Sequence, residues 1–199
     1  LEKERKLDLQ KYDRVKRLKL INSICGIRSV HLIGSKSKNN NSNLAIFSSV
    51  THLGSNPPLL SFISRPDNIV KRDTLRNIKQ TKHFTINSIE EDIIKNAHQT
   101  SGKYDSGKSE FQECNIQDQY IDKFPAPFVA NSNVKIGLKF LESIIIKHNH
   151  TELVIGEIVL IKTRYKKLEK NFNETISIIG LNSYYNNHKI TEMPYIKIK

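Results

Sequence analysis

Residues 43–87 read NLAIFSSVTHLGSNPPLLSFISRPDNIVKRDTLRNIKQTKHFTIN, and this stretch decides the fold. Its apolar runs at 43–50 and 59–65 predict two strands that are buried on both faces or lie in the wall of a barrel. The Gly-Ser-Asn-Pro-Pro sequence at 54–58 predicts a stiff loop between them, because glycine permits positive φ and proline fixes φ.

The second half of the stretch predicts a helix followed by another strand. Residues 72–79 predict a short helix, with Asp73 or Thr74 as its N-cap. Residues 83–88 predict a strand, since Phe, Thr and Ile favour the pleated conformation. Strands at short spacing with little helix between them favour a mainly antiparallel barrel over a doubly wound parallel sheet.

The flanking sequence continues this pattern, and we interpret residues 1–199 as one α+β domain. Apolar residues at helical spacing over 8–22 predict an amphipathic helix that lies on an apolar surface, with Asp8 as its N-cap. Further segments follow from turn signals and β-branched runs. They are strands at 27–34, 133–146, 152–163 and 174–181, a hairpin tip at 35–42, and short helices at 89–97 and 109–114.

Composition excludes several classes of protein. Hydrophobic residues make up 37% of the chain and charged residues 26%, which suits a folded domain. No apolar run approaches the roughly 18–20 residues of a membrane-spanning helix, and the N-terminal sequence lacks the apolar core of a secretory signal. We therefore expect a cytoplasmic protein without membrane contact, in which Cys25 and Cys114 are buried free thiols.

The net charge of +12 raises the question of nucleic-acid binding. The basic residues are spread along the chain and mixed with acids, and no RNP-like or zinc-finger pattern occurs, so this role is disfavoured. The chain also has no phosphate-binding loop, dinucleotide fingerprint or nucleophile elbow. The seven histidines are scattered without metal-ligand spacing, so no metal site is predicted.

Two groups of polar residues in the central stretch predict a ligand site, although each has a simpler interpretation. Ser48, Ser49 and Thr51 follow a strand, where they would line the polar edge of a flat ligand or simply fill a loop. The second group joins guanidinium, hydroxyl and amide groups near the predicted helix, and it would hold a phosphate or form a solvated basic loop. It comprises Arg65, Lys71, Arg72, Thr74 and Asn77.

Taken in order, these pieces resemble the flavin reductase-like family of FMN-binding split barrels, which includes flavoredoxin. The shared pieces are a strand ending in Ser-Ser, a Pro-Pro entry and an Arg-Pro exit of the next strand, Thr-x-x-Asn-Ile at 74–78 and Phe-x-Ile-Asn at 84–87. Further matches are AHQTSGKY at 97–104, SEF at 109–111, FPAPFV at 124–129, IGEIV at 155–159 and GLNSYY at 180–185. The C-terminal sequence from Met193 departs from the Tyr-Ala-Arg-Pro ending that relatives often have.

The resemblance implies a split barrel that binds FMN non-covalently, as a homodimer with the flavin near the subunit interface. It implies an NAD(P)H-dependent flavin reductase that passes electrons through FMN to a flavin or another acceptor, with no catalytic side chain and no metal. The alternative is a flavoredoxin-like FMN electron carrier between redox protein partners. The residues implied by position are Ser48, Ser49 and Thr51 along the flavin, Arg65, Arg72 and Thr74 at the phosphate, Asn77 in support, and His98 and Ser101 on a second loop.

Overall fold

A computed structural model describes residues 6–67, 72–105, 107–166 and 175–187, together with residues 190, 191 and 193. The strands of these residues are β1 (Arg28–Ser29), β2 (His31–Lys36), β3 (Ser42–Phe47), β4 (Thr51–Ser55), β5 (Pro58–Ser64), β6 (His83–Ser88), β7 (Asp118–Gln119), β8 (Phe128–Val129), β9 (Val134–Ile146), β10 (Thr151–Thr163), β11 (Ile176–Ile179) and β12 (Ser183–Asn186). The α-helices are α1 (Arg14–Ile24), α2 (Asp73–Thr81), α3 (Ile94–Gln99) and α4 (Glu110–Glu113), and 3₁₀ turns span Leu9–Lys11 and Glu91–Ile93.

One seven-stranded antiparallel sheet forms the body of the protein. Its order is β3-β2-β6-β9-β10-β5-β4, so the consecutive strands β3 and β4 lie at opposite edges. No pairing joins these two edges among the described residues, and the sheet is therefore not closed into a barrel. Two small sheets accompany it: β1-β11-β12 and β7-β8. The predicted class, an α+β fold with a mainly antiparallel split barrel and peripheral helices, is confirmed, and the split lies between β3 and β4.

One part of the core is a cluster in which aromatic rings meet from β3, β5 and β6, strands that do not pair with one another. Phe62 of β5 contacts Phe47 and Phe84 edge-to-face, at centroid distances of 4.8 and 5.7 Å. Helix α2 packs Leu75 and Ile78 against this cluster. Its apolar residues fall on one face, which explains why this short helix is well anchored. The start of α2 is thereby held beside the edge strand β3.

The local patterns located most elements correctly. The predicted strand at 83–88 is β6, and those at 133–146 and 152–163 are β9 and β10 with ends shifted by one residue. The strand predicted at 27–34 is divided into β1 and β2, and the strand predicted at 43–50 ends at Phe47. Glu174, Lys71 and nearly all of the C-terminal sequence lie outside the described residues, and β12, β7 and β8 were not predicted.

The prediction for the N-terminal helix was wrong in its start and in its N-cap. The Asp13 carboxylate accepts the N–H groups of Val15 and Lys16 at 2.8 and 2.9 Å, so Asp13 is the N-cap of α1. Asp8 caps only the preceding 3₁₀ turn. No residue of α1 is fully buried within the chain, and Val15 keeps 60% of its surface exposed, so most of the apolar side chains of α1 are not covered by the rest of the described chain.

Three further predictions are corrected by the structure. The predicted loop between the central strands contains strand β4, which pairs with β5 through a turn at Asn56–Pro57, because β10 covers only one edge of β5 and the backbone groups of the other edge are available to β4. Arg72 occupies the N-cap position of α2 without a side-chain capping bond, so neither Asp73 nor Thr74 is the cap. Both cysteines are free as expected, but Cys25 is exposed, since it follows the exposed helix α1.

None of the helices in the described ranges has the length and apolar character that crossing a membrane requires.

Candidate functional site

A cavity of about 430 Å³ runs along β3 and is closed by the start of α2, the end of β5 and the segment after α3. We name it the β3–α2 cavity. Backbone and side chains of β3 supply one wall from Asn43 to Ser49. The opposite wall includes Thr100 to Tyr104. A volume of this size lies within the roughly 300–1,000 Å³ of small-molecule sites.

The structure brings six of the nine predicted site residues together around this cavity. They are Ser48, Ser49, Arg65, Arg72, Thr74 and Ser101. The other three, Thr51, Asn77 and His98, do not line it. The two groups that were far apart in sequence, the serines after β3 and the basic residues before α2, thus share one space because β3 and β5 converge at their ends.

The serine after β3 serves partly as a structural link. Ser49 Oγ accepts the Ile63 N–H at 3.0 Å and lies 3.4 Å from the Ile63 carbonyl oxygen. This pair ties the segment after β3 to β5 across the open side of the sheet. Ser48 lines the cavity beside it, so a hydroxyl and the surrounding backbone present polar groups to a ligand at this end.

Two arginines meet where β5 ends and α2 begins. Burial lowers the pKa of the Arg72 guanidinium, the nearby Arg65 guanidinium lowers it further, and Asp67 acts in the opposite direction. Arg72 Nε is buried and has no hydrogen-bond acceptor among the residues that the structure describes. Two like charges and an unsatisfied donor are costly unless an anion binds between them, so this end of the cavity favours an anion.

The polar groups under the start of α2 form a connected network. Thr74 Oγ1 accepts the Asn43 amide at 3.0 Å, which leaves its own hydroxyl proton free to donate. Asn77 is buried, and its amide donates to Ser35 Oγ at 3.4 Å rather than entering the cavity. Asn77 therefore supports the segment that carries Thr74.

Thr51 and His98 lie away from the cavity for identifiable reasons. Thr51 is exposed on the edge strand β4, where its hydroxyl lies 3.4 Å from the Ser49 carbonyl oxygen. His98 Nδ1 forms a 2.8 Å hydrogen bond with the Tyr184 hydroxyl of β12. The His98 carbonyl accepts the Ser101 hydroxyl at 2.7 Å, so His98 holds the loop that carries Ser101.

Residues that sequence reasoning did not select also line the cavity. Glu110 of α4 accepts the Leu44 N–H at 3.0 Å, and burial raises the pKa of its carboxyl group. The Tyr104 hydroxyl lies 3.3 Å from Cys114 Sγ, and this contact raises the pKa of Tyr104 to about 12. Arg28 of β1 lines the cavity as well. The segments of Tyr104 and Glu110 carried matching motifs and that of Arg28 did not, and only the fold shows that these side chains reach the same space.

The flavin reductase like domain matches residues 27–189, so the chain belongs to the flavin reductase-like family, as the sequence predicted. A candidate flavin reductase with a split barrel domain from Shewanella frigidimarina NCIMB 400 is 38% identical. The likeness covers 94% of this chain and 96% of that chain, with a TM-score of 0.89.

More distant solved structures share the fold. Nitrilotriacetate monooxygenase component B from Bacillus cereus has a TM-score of 0.85 at 18% identity, over 97% of this chain and 100% of its own. Flavoredoxin of Desulfovibrio vulgaris (Miyazaki F) has a TM-score of 0.73 at 19% identity, over 85% of this chain and 92% of its own.

Proposed function

We propose that the protein is a flavin oxidoreductase that binds FMN in the β3–α2 cavity and passes electrons from NAD(P)H through FMN to a flavin or another acceptor. We further propose that it acts as a homodimer with the flavin near the subunit interface. Family membership supports the flavin chemistry. The single observation that carries the choice of FMN is the pair Arg65 and Arg72 at one end of the cavity.

The residues present fit a flavin with a terminal phosphate. A phosphate monoester carries close to two negative charges at pH 7 and three acceptor oxygens. Arg65 and Arg72 would offset those charges and Arg72 would gain the acceptor that it lacks, while the Thr74 hydroxyl would donate a further bond. A phosphate there leaves the part of the cavity near Ser48 and Ser49 for the flavin ring.

FMN, when bound, supplies the hydride and one-electron chemistry of the reaction. The chain contributes binding and orientation: the arginine pair fixes the phosphate, the network under α2 holds Thr74 in place, and the loop that carries Ser101 covers one side. None of these residues needs to act as a general acid or base.

The test compares FMN with riboflavin, which lacks the phosphate. Arg65→Ala and Arg72→Met each remove charge-assisted hydrogen bonds of about 1.5–3 kcal/mol. We expect each variant to weaken FMN binding about 10- to 150-fold, and to leave riboflavin binding within about threefold, as measured by fluorescence quenching. Lys38→Met, at the exposed hairpin tip, is the matched control for a lost positive charge. An equal loss of FMN and riboflavin affinity would contradict the phosphate assignment.

A second candidate function, an FMN electron carrier between protein partners, is supported by the likeness to flavoredoxin. Steady-state oxidation of NADH and NADPH with an excess of free FMN distinguishes the two. A reductase turns over many times under these conditions. A carrier shows a stably bound, yellow cofactor that is reduced slowly by either nucleotide and quickly by a reduced redox protein.

A further inference from the structure

The end of the β3–α2 cavity that is remote from the start of α2 also carries a fixed cation. Arg28 of β1 is half-buried and lines the cavity. Its Nη2 donates to the Gly180 carbonyl oxygen at 2.6 Å and lies 3.5 Å from Asn22 Oδ1, so α1 and the β11–β12 turn hold the guanidinium. Its Nε is buried without an acceptor in the described part of the chain.

Two hydrogen bonds locate Arg28 relative to the proposed phosphate end. Asn43, at the start of β3, donates to Thr74 of α2 at 3.0 Å. The hydroxyl of Ser29, the residue after Arg28, lies 3.5 Å from the Val50 carbonyl oxygen. Val50 follows the end of β3. Arg28 and α2 therefore flank opposite ends of β3, which are on the order of 15–20 Å apart along an extended strand.

The charges that line the two ends differ. The carboxylates among the described lining residues are Asp73, in the first turn of α2, and Glu110, which binds the start of β3 through Leu44. Both lie near the start of β3 and the start of α2. The charge of Arg28 is consequently not offset by a lining carboxylate at its own end, and it would favour negative charge on a ligand there. Lys103, in the Thr100–Tyr104 segment, is a further cation of the lining.

We propose that Arg28 faces the pyrimidine edge of the FMN ring and stabilises the reduced, anionic flavin over the oxidised, neutral ring. The inference rests on the proposed function, because a phosphate at the arginine pair directs the ring towards Arg28. A reduced nicotinamide transfers a hydride, that is two electrons and one proton, and becomes oxidised nicotinamide. The flavin that accepts it keeps one negative charge on the pyrimidine edge, where a fixed cation is most favourable.

The experiment measures the midpoint potential of bound FMN by dithionite titration with indicator dyes. Arg28→Met removes the charge and keeps much of the aliphatic stem, so the preference for reduced over oxidised FMN should fall about tenfold or more. A tenfold change lowers a two-electron potential by about 30 mV. Arg28→Lys should retain most of the wild-type potential. Lys95→Met, exposed on α3 and outside the cavity lining, controls for a general loss of charge and should change the potential little.

Binding of oxidised FMN is measured first, which separates the two proposals. Failure of the wild-type protein to bind FMN would overturn the proposed function. Bound FMN with the same potential in Arg28→Met as in wild type would overturn the role of Arg28 alone. An equal shift of the potential in Lys95→Met would also overturn that role. So would a higher KM for the nucleotide in Arg28→Met with an unchanged potential, because Arg28 would then bind the electron donor instead of tuning the flavin.

A measurement on the wild-type protein keeps the inference testable if Arg28→Met does not fold. The potential of bound FMN is followed between about pH 5.5 and 6.5, where free FMN takes up two protons per two electrons. Stabilisation of the anionic form predicts one proton per two electrons, a slope of about 30 mV per pH unit. A slope of about 59 mV per pH unit would mean that the reduced ring is neutral beside Arg28, and would overturn the inference.

Discussion

His31 of β2 has a buried ring nitrogen, Nδ1, on its imidazole. This nitrogen has no hydrogen-bond partner within the described residues. Burial lowers the pKa of His31 from 6.5 to about 4, because the imidazolium would lose its hydration without gaining an acceptor. The unfolded chain therefore binds a proton at a higher pH than the folded chain does. Stability is fully present above about pH 6.5 and is lost as the pH falls towards 4.

We expect this single group to remove about 3 kcal/mol from the free energy of unfolding between pH 7 and pH 4. Urea unfolding at a series of pH values measures the loss, and His31→Gln should reduce it by that amount. His52→Gln, at an exposed histidine on β4, is the control and should leave the pH dependence of wild type. An unchanged pH dependence in His31→Gln would show that other groups cause the loss.

Among the elements, β2 is constrained by the chain that crosses over it. A Cβ atom on Gly34 would collide with the Pro127 carbonyl oxygen and would lie 2.5 Å from Thr85 Oγ1. These two atoms are themselves joined by a 2.7 Å hydrogen bond, so neither can move away without breaking it. Only glycine allows this close approach between β2 and the segment that leads into β8.

Gly34→Ala should therefore lower the free energy of unfolding by about 1–3 kcal/mol, the usual cost of overpacking. Gly54→Ala on β4 is the matched control, since its Cβ would lie 3.6 Å from the Pro57 carbonyl oxygen, an ordinary contact. We expect a change below about 0.5 kcal/mol for the control in urea unfolding. Equal stability of the two variants would show that the chain near Pro127 yields easily.

At the scale of the whole molecule, most apolar side chains of α1 are left exposed by the rest of the described chain. Val15, Leu18 and Ile24 keep 60%, 48% and 66% of their surface exposed. These side chains are distributed around the helix rather than along one face, and the apolar surface that they leave exposed on a single helix is available for contact with another molecule. The proposed homodimer offers one such contact, a second copy packed against α1.

Sedimentation velocity should show a dimer for the wild-type protein and a monomer for the double variant Val15→Glu/Ile24→Glu. The stability of the isolated fold should change little, because no residue of α1 is fully buried within the chain. Arg17→Glu/Lys19→Glu alters the charge of the same helix more strongly without removing apolar surface, and should remain a dimer. A dimer that survives Val15→Glu/Ile24→Glu would place the interface elsewhere.

The sequence alone determined the positions of most strands and one end of the candidate site. The strand predicted at 83–88 is β6 because the strand preference of Phe, Thr and Ile acts locally, and the ordered motifs pointed to the family that the domain match confirms. Arg65 and Arg72 were selected because they flank a strand end and a helix start, which are local features as well.

Only the tertiary structure decided which distant side chains meet and which surfaces stay exposed. It placed Arg28 and Glu110 in the same cavity as the arginine pair, held His98 outside it through Tyr184, left α1 uncovered and kept the sheet open between β3 and β4. Each of these outcomes depends on packing between segments that are remote in the chain. The spacing of apolar residues within one segment does not indicate which other segment it will contact. Burial, and with it the shifted pKa values of His31 and Arg72, follows from that packing.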